Sequence, residues 1–206
     1  MHHASWAVIL GLLSLATANP AFATGDAASG RGKARLCAAC HGTDGNHASE
    51  TIPRLAGQVP QYLEKQLHDF RSGHRRNCGG FGPGRQRPSD TDIADIAAFF
   101  AGQRADTKRS AREATPLGMK IYLKGRRSPG FMPACTGCHG PAGGGQSPRY
   151  IAAQLTAFRS GSRSNDRGAV MRRLAEQLSD EEIAAVAAYV ADLDWTDGRS
   201  VSGDSR

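Results

Sequence analysis

Apolar residues recur at three- and four-residue spacing in two segments of the chain, as they do on one face of a helix. In each segment a serine precedes the stripe, and an acidic residue follows that serine by three positions, as in Ser89 with Asp92 and Ser179 with Glu182. This arrangement is a capping box, which satisfies the free backbone amides at a helix start. The two stripes consist of Ile93, Ile96, Ala97 and Phe100 and of Ile183, Val186, Ala187 and Val190.

Further helices are predicted upstream of each stripe. The segments 62–70 and 150–158 each place apolar residues at helical spacing, and 30–37 and 117–123 predict an earlier, first helix in each half, with Met119 as a packing residue. No segment alternates apolar and polar residues as a half-buried strand does. The predicted fold class is therefore all-α.

The chain contains an internal duplication. Tyr62 to Gly73 matches Tyr150 to Gly161 at an offset of 88 residues, two Cys-x-x-Cys-His triplets match at 98, and the two serine caps match at 90. Changing offsets indicate two homologous domains with insertions between their motifs. We expect domain 1 at 24–103, a charged linker at 104–115, domain 2 at 116–195 and a polar tail at 196–206.

The N-terminal 23 residues have the composition of a signal peptide. An uncharged apolar stretch from Trp6 to Ala18 is too short to span a membrane, and Ala21-Phe22-Ala23 is a small-x-small cleavage site. His2 and His3 replace the usual Lys or Arg, and an uncleaved anchor is the alternative. Cleavage after Ala23 predicts a periplasmic protein.

The core-forming composition is low. Leu, Ile, Val and Phe make up about 15% of residues 24–206, below the roughly 20% expected of a chain that folds on its own side chains. Either the protein is disordered, or a group other than its side chains completes the core.

The cysteine pattern supplies such a group. Cys37-Ala-Ala-Cys40-His41 and Cys135-Thr-Gly-Cys138-His139 are two copies of the motif in which two thiols add to the vinyl groups of a haem and the histidine ligates its iron. A zinc site made by the four cysteines and C-x-x-C redox pairs are the alternatives, but zinc leaves both histidines unexplained. The motifs predict two covalently bound haem c groups, with Cys37, Cys40, Cys135 and Cys138 as attachment residues and His41 and His139 as iron ligands.

The mature chain resembles the cytochrome c4 family. The resemblance is carried by the segments 37–45 (CAACHGTDG), 53–58 (PRLAGQ) and 178–183 (LSDEEI) and by both Phe-Arg-Ser-Gly segments. It implies two tandem class I cytochrome c domains, each built around one haem, that carry electrons between respiratory partners such as a terminal oxidase or reductase.

The resemblance also implies a methionine as second axial ligand, seven residues before the Leu of the Leu-Ser-Asp motif. In domain 2 this residue is Met171. Domain 1 has no methionine, and Phe81 occupies the equivalent position, so its iron is five-coordinate or ligated by His74 or Cys78. A local frameshift over 78–88 would also produce this unusual segment.

A proline carbonyl orients the proximal histidine in the resembling family, and Pro53 matches that position in domain 1. Domain 2 lacks the equivalent segment, and Pro148 is at best a partial substitute. We therefore expect the second haem to be more exposed than usual.

The charge pattern bears on the partners. The formal charge of +7 is divided into +3 before Asp106 and +4 from there on. Acidic docking surfaces or membrane headgroups are the expected targets, and an exported protein meets no nucleic acid. A haem enzyme or small-ligand-binding protein that uses an open iron in domain 1 is the alternative function, and a degraded paralogue in which only domain 2 works is a third.

Overall fold

The computed structural model describes residues 25–47, 49–76, 87–106, 115–128, 130–139 and 145–193. Within these ranges there are nine α-helices and a short 3₁₀ turn, Arg167–Ala169, and no strand. The all-α fold class is therefore confirmed. The helices are α1 (Ala27–Lys33), α2 (Arg35–His41), α3 (Pro60–Ser72), α4 (Asp90–Ala101), α5 (Pro116–Lys124), α6 (Thr136–His139), α7 (Pro148–Arg159), α8 (Val170–Ala175) and α9 (Asp180–Asp192).

The helices pack in two similar sets, which follow the sequence repeat. In domain 1, α1 and α3 pack on α4, and in domain 2, α5 and α7 pack on α9. Each set encloses its own apolar cluster. The first is centred on Phe100 and Ile96, and the second on Ile121 and Ile183. The exact residue limits of the domains and linker stay a prediction.

The C-terminal helix of each set begins at the predicted capping box. The Ser89 and Ser179 hydroxyls accept hydrogen bonds from the backbone amides of Asp92 and Glu182, whose carboxylates accept from the serine amides in return. A satisfied helix start fixes where α4 and α9 begin. The apolar stripe of each helix consequently faces the core of its domain.

Two glycines let helices cross at backbone contact. A Cβ at Gly30 of α1 would lie 2.0 Å from the Asp95 carbonyl oxygen of α4, and one at Gly118 of α5 would lie 2.1 Å from that of Ala185 in α9. Only glycine permits so close an approach. These crossings position the first helix of each domain, which leads toward its Cys-x-x-Cys-His motif.

Two expectations about the first helices were wrong. The helix expected at 30–37 ends at Lys33, because the backbone turns at buried Ala34 (ψ −2°) and α2 starts anew at Arg35. Met119 does not pack in the core. It is 46% exposed, because α5 turns Gly118, Ile121 and Tyr122 inward instead.

The domains meet through a reciprocal cluster of polar residues. Arg75 donates to Tyr150 and Gln154 of domain 2, and Arg163 donates to Tyr62 and Gln66 of domain 1, at 3.1–3.3 Å. Each arginine also donates to the glutamine of its own domain. The six residues match in pairs at the repeat offset of 88, so the interface has approximate two-fold symmetry.

Several predicted features lie outside the described residues. They are the signal peptide at 1–23, residues 107–114 of the linker, the tail at 196–206, and both Cys78 and Phe81. In the part of the chain that the structure describes, no helix is long and apolar enough to cross a membrane.

Candidate haem sites

The first motif lies on α2, which brings its three reactive side chains to one end of domain 1. Cys37 is half-buried and packs against the apolar cluster, whereas Cys40, one turn later, is exposed. The helix ends at His41, and Gly42 caps its C-terminus. The motif therefore lies where the core of domain 1 meets its surface. A planar apolar group bound there could pack against the core on one side and be attached covalently through the two thiols.

The ring of His41 is held by a backbone carbonyl. Its Nδ1 lies 2.8 Å from Pro53 O. A carbonyl oxygen can only accept, so Nδ1 carries the proton and Nε2 keeps its lone pair. Burial lowers the pKa of His41, an effect that the Pro53 hydrogen bond opposes, and the neutral form is the one that can ligate iron. The predicted carbonyl contact of Pro53 is confirmed.

The loop between α2 and α3 fixes Pro53 in place. Leu55 N–H donates to Gly45 O at 2.9 Å, and Gly57 N–H donates to Phe100 O at 3.0 Å. The Asn46 side chain ties the same loop to the end of the domain by donating to Arg104 O. Because both flanks of Pro53 are hydrogen-bonded, the orientation of its carbonyl is set by the fold.

The second motif has a different setting. Cys135 is half-buried against the domain 2 cluster, and burial raises the pKa of its thiol. Cys138 and His139 are exposed on the single turn of α6. Among the described residues no hydrogen bond to the His139 ring is found, in contrast to His41. Pro148 does not replace Pro53, because it is the first residue of α7 and its carbonyl belongs to that helix.

An inserted segment, 125–134, leads into the second motif. Arg126 and Met132 exchange backbone hydrogen bonds at 2.8 and 2.9 Å, and the buried Met132 side chain packs in the domain 2 cluster. The Arg126 guanidinium pairs with Glu182 and donates to Gln177 O at 2.6 Å. This segment therefore anchors Cys135 to the start of α9. Met132 is therefore used in packing.

Met171 is half-buried at the start of α8, after a tight turn in which Gly168 and Ala169 both adopt left-handed backbone conformations (φ 64° and 58°). The turn is braced by Asp166, which accepts hydrogen bonds from Arg172 N and Arg172 Nε at 3.0 and 2.8 Å. A strained Ala169 in a braced turn fixes the direction in which α8 presents Met171.

The candidate ligands of domain 1 are less complete. His74 is exposed, lies 3.0 Å through Nδ1 from Ser72 Oγ, and lines a cavity between the domains beside Asn165 and Arg167. It occupies the turn equivalent to Ser162, well before the position that Met171 holds in domain 2. Nothing in this setting supports His74 as an iron ligand. Cys78 and Phe81 lie outside the described residues.

The residues present fit haem better than zinc. Within the described ranges no three Cys, His, Asp or Glu residues are grouped as a metal site would require. In both domains one cysteine faces the apolar cluster and the other faces outward. That arrangement suits two thioether bonds along the edge of an apolar plate.

Comparison with known proteins agrees with this chemistry. The cytochrome c family matches residues 31–103. Cytochrome c4 from Azotobacter vinelandii is 40% identical, covering 91% of this chain and 98% of that protein. The chain belongs to the cytochrome c4 family. The crystal structure of reduced recombinant cytochrome c4 from Pseudomonas stutzeri is similar at a TM-score of 0.69 and 38% identity, covering 82% of this chain and 100% of that one.

Membership of the cytochrome c4 family settles the general function. The protein is a dihaem electron-transfer cytochrome with two covalently bound haem c groups and two class I domains. The alternative of a haem enzyme is not favoured by these relatives. A thiosulfate dehydrogenase electron acceptor from Stutzerimonas stutzeri strain A1501 is also 37% identical, covering 78% of this chain and 80% of that protein.

The sequence alone did not identify the polar residues at the contact between the two domains. Gln66 and Gln154 match at the repeat offset, and both lie on helices next to Phe-Arg-Ser-Gly. A glutamine repeated on an otherwise apolar helix face is a signal of a buried polar interface, but it does not say which surface covers it. Gln146, which contacts the loop of His41, carries no such signal.

Proposed function

We propose that Cys37 and Cys40 attach the domain 1 haem and Cys135 and Cys138 attach the domain 2 haem, with His41 and His139 as proximal ligands and Met171 as the second ligand in domain 2. The observation that carries this proposal is the hydrogen bond between His41 Nδ1 and Pro53 O. Because Nδ1 holds the proton, Nε2 keeps a lone pair with which it can ligate iron. When bound, each haem supplies an iron that takes up and releases one electron.

The protein's own residues would hold both haems in a fixed geometry. The half-buried cysteine of each pair anchors one edge of the group against the core, and Pro53 keeps the His41 ring from rotating. The reciprocal arginine cluster holds the two domains in one arrangement, so the distance between their haems is fixed. A fixed distance makes electron exchange between domains reproducible from one molecule to the next.

The assignment of Met171 is tested by substitution. Met171→His should remove the sulfur-to-iron absorption band at the red end of the visible spectrum and lower the potential of one haem, because a thioether favours reduced iron more than an imidazole does. Met119→His is the matched control, since Met119 is exposed on α5. An unchanged band in Met171→His, or an equal effect of Met119→His, would contradict the assignment.

The partner is proposed to dock through an acidic surface. Arg31 and Arg35 are exposed on α1 and α2, beside the exposed Leu36 and shortly before Cys37. Lys33, which lies between them in the sequence, is paired with two aspartates of α4. Basic side chains beside an exposed apolar residue steer an acidic partner toward the haem edge. Terminal oxidases or reductases are expected acceptors, and the resemblance to a thiosulfate dehydrogenase electron acceptor makes such a dehydrogenase a candidate donor. The rate of reduction by purified partner should fall as salt rises, and more steeply for the wild type than for Arg35→Ala.

The proposed location is the periplasm, after removal of residues 1–23. Export would deliver the chain to the compartment in which c-type cytochromes are assembled, which agrees with two Cys-x-x-Cys-His motifs. N-terminal sequencing of the secreted protein should give Thr24 as the first residue. Retention of Met1 on membranes would instead support an uncleaved anchor.

A further inference from the structure

One side chain of domain 2 is hydrogen-bonded to the peptide group that holds His41. Arg54 N–H donates to Gln146 Oε1 at 3.0 Å, and Gln146 Nε2 donates to Arg54 O at 2.7 Å. On the other side, His41 Nδ1 donates to Pro53 O at 2.8 Å. The Pro53 carbonyl and the Arg54 N–H belong to the same planar peptide unit. Two hydrogen bonds therefore join His41 to Gln146 through one peptide group.

We propose that Gln146 is a positioning residue for His41, through which domain 2 lowers the reduction potential of the domain 1 haem. The inference rests on the proposed function, in which His41 is the proximal ligand of that haem.

The physical basis is polarisation along the chain of hydrogen bonds. When Arg54 N–H donates to Gln146, electron density shifts toward the Pro53 oxygen, which becomes a stronger acceptor. A stronger acceptor draws the Nδ1 proton of His41 and makes the imidazole more electron-rich. A more basic axial histidine stabilises oxidised iron, so the potential falls.

Neighbouring contacts between the two domains hold Gln146 next to Arg54. Ser147 Oγ donates to Glu50 O at 2.8 Å, and Arg149 pairs with the Glu50 carboxylate at 3.3 Å. On the other flank, Arg54 Nη1 donates to Asp106 O at 2.7 Å. The paired amide contact of Gln146 with Arg54 is itself half-buried. These two hydrogen bonds are therefore part of a larger interface between the loop that holds His41 and the start of α7.

The described residues place this route only at His41. Within the described part of the chain, no hydrogen bond links a side chain of domain 1 to the His139 ring. We therefore expect the loss of the Gln146 contact to change the potential of the domain 1 haem and to leave the potential of the domain 2 haem unchanged.

The test replaces Gln146 with methionine, which keeps a similar volume and removes both hydrogen bonds. In the reduced protein carrying both haems, NMR should show hydrogen exchange at Arg54 N–H about fivefold faster or more, as expected for one lost hydrogen bond. Exchange at His41 Nδ1–H should be accelerated less, because its bond to Pro53 O is weakened and not lost. A redox titration should show one reduction wave for each haem. The wave of the domain 1 haem should move to a higher potential, and the wave of the domain 2 haem should not move. The waves are assigned with Met171→His, which shifts only domain 2.

Ser147→Ala is the matched control. It removes the neighbouring contact with Glu50 and the cap of α7, yet leaves the peptide group of Pro53 and Arg54 bonded to Gln146. A shift of the domain 1 wave as large as that of Gln146→Met would show general loosening and overturn the inference.

The two measurements separate the possible failures. Unchanged exchange at Arg54 in Gln146→Met overturns the inference alone. Faster exchange with both potentials unmoved also overturns the inference, whereas the role proposed for His41 fails only if His41→Ala leaves the reduction wave of the domain 1 haem unchanged.

Discussion

The glycine at the crossing of α1 and α4 can be tested against a second glycine in the same helix. Gly30→Ala would place a Cβ 2.0 Å from Asp95 O and 2.8 Å from Phe99 Cβ. Both distances are below the 3.0 Å that real Cβ contacts respect, the first by 1 Å, and a backbone oxygen cannot rotate away. The helices must therefore separate by about 1 Å, which loosens Phe99 and its neighbours in the domain 1 cluster.

The expected cost follows from two opposing effects. Overpacking of a close contact costs about 1–3 kcal/mol, and a clash with backbone falls at the upper end of that range. Alanine recovers up to about 1 kcal/mol of helix propensity relative to glycine. The net loss in the free energy of unfolding should be about 2 kcal/mol.

Gly32→Ala is the control, because no atom lies within 4 Å of the position its Cβ would take. It should stabilise domain 1 by about 0.5–1 kcal/mol through helix propensity alone. Guanidinium denaturation of the protein with both haems, followed by far-ultraviolet circular dichroism, measures both variants. If Gly30→Ala proves as stable as Gly32→Ala, the close helix crossing is wrong.

Other predictions concern pH and the domain interface. Lys33 and then Ser89 hold the pKa of Asp92 at about 2, below its ordinary 3.8. Its contribution to stability is therefore complete above pH 3.8 and lost as the pH falls toward 2, and urea titrations of Asp92→Asn should show a flatter acid limb than the wild type. Arg163→Met should weaken the coupling of the domains by about 2–3 kcal/mol, because its buried charged hydrogen bonds to Tyr62 and Gln66 are lost. Calorimetry should then resolve two unfolding transitions, and an unchanged single transition would contradict this.

Local signals were enough to predict most of the helices. The caps at Ser89 and Ser179 depend on residues three positions apart, so a capping box can be recognised without any knowledge of tertiary contacts. The break at Ala34 could not be predicted in this way. It depends on how α1 is held at Gly30 by α4, a contact between residues more than sixty positions apart.

Some features of the candidate site could likewise be predicted from local sequence, and others could not. The attachment cysteines and proximal histidines are contiguous, and the motif alone predicts their chemistry. The contact of Pro53 with His41 was expected only through resemblance to a family. The pairing of Gln146 with Arg54 crosses 92 positions and two domains. No periodicity or charge pattern marks either residue, so only the folded arrangement brings them together.

The central claim is that both motifs carry covalently attached haem, and the mass of the denatured protein tests it most directly. Protein produced in a host with haem-ligation machinery should have the mass of residues 24–206 plus two haems. When Cys135 and Cys138 are both replaced with alanine, the protein should carry the added mass of only one haem. An unmodified mass, or a haem lost on denaturation of the wild type, would contradict the account.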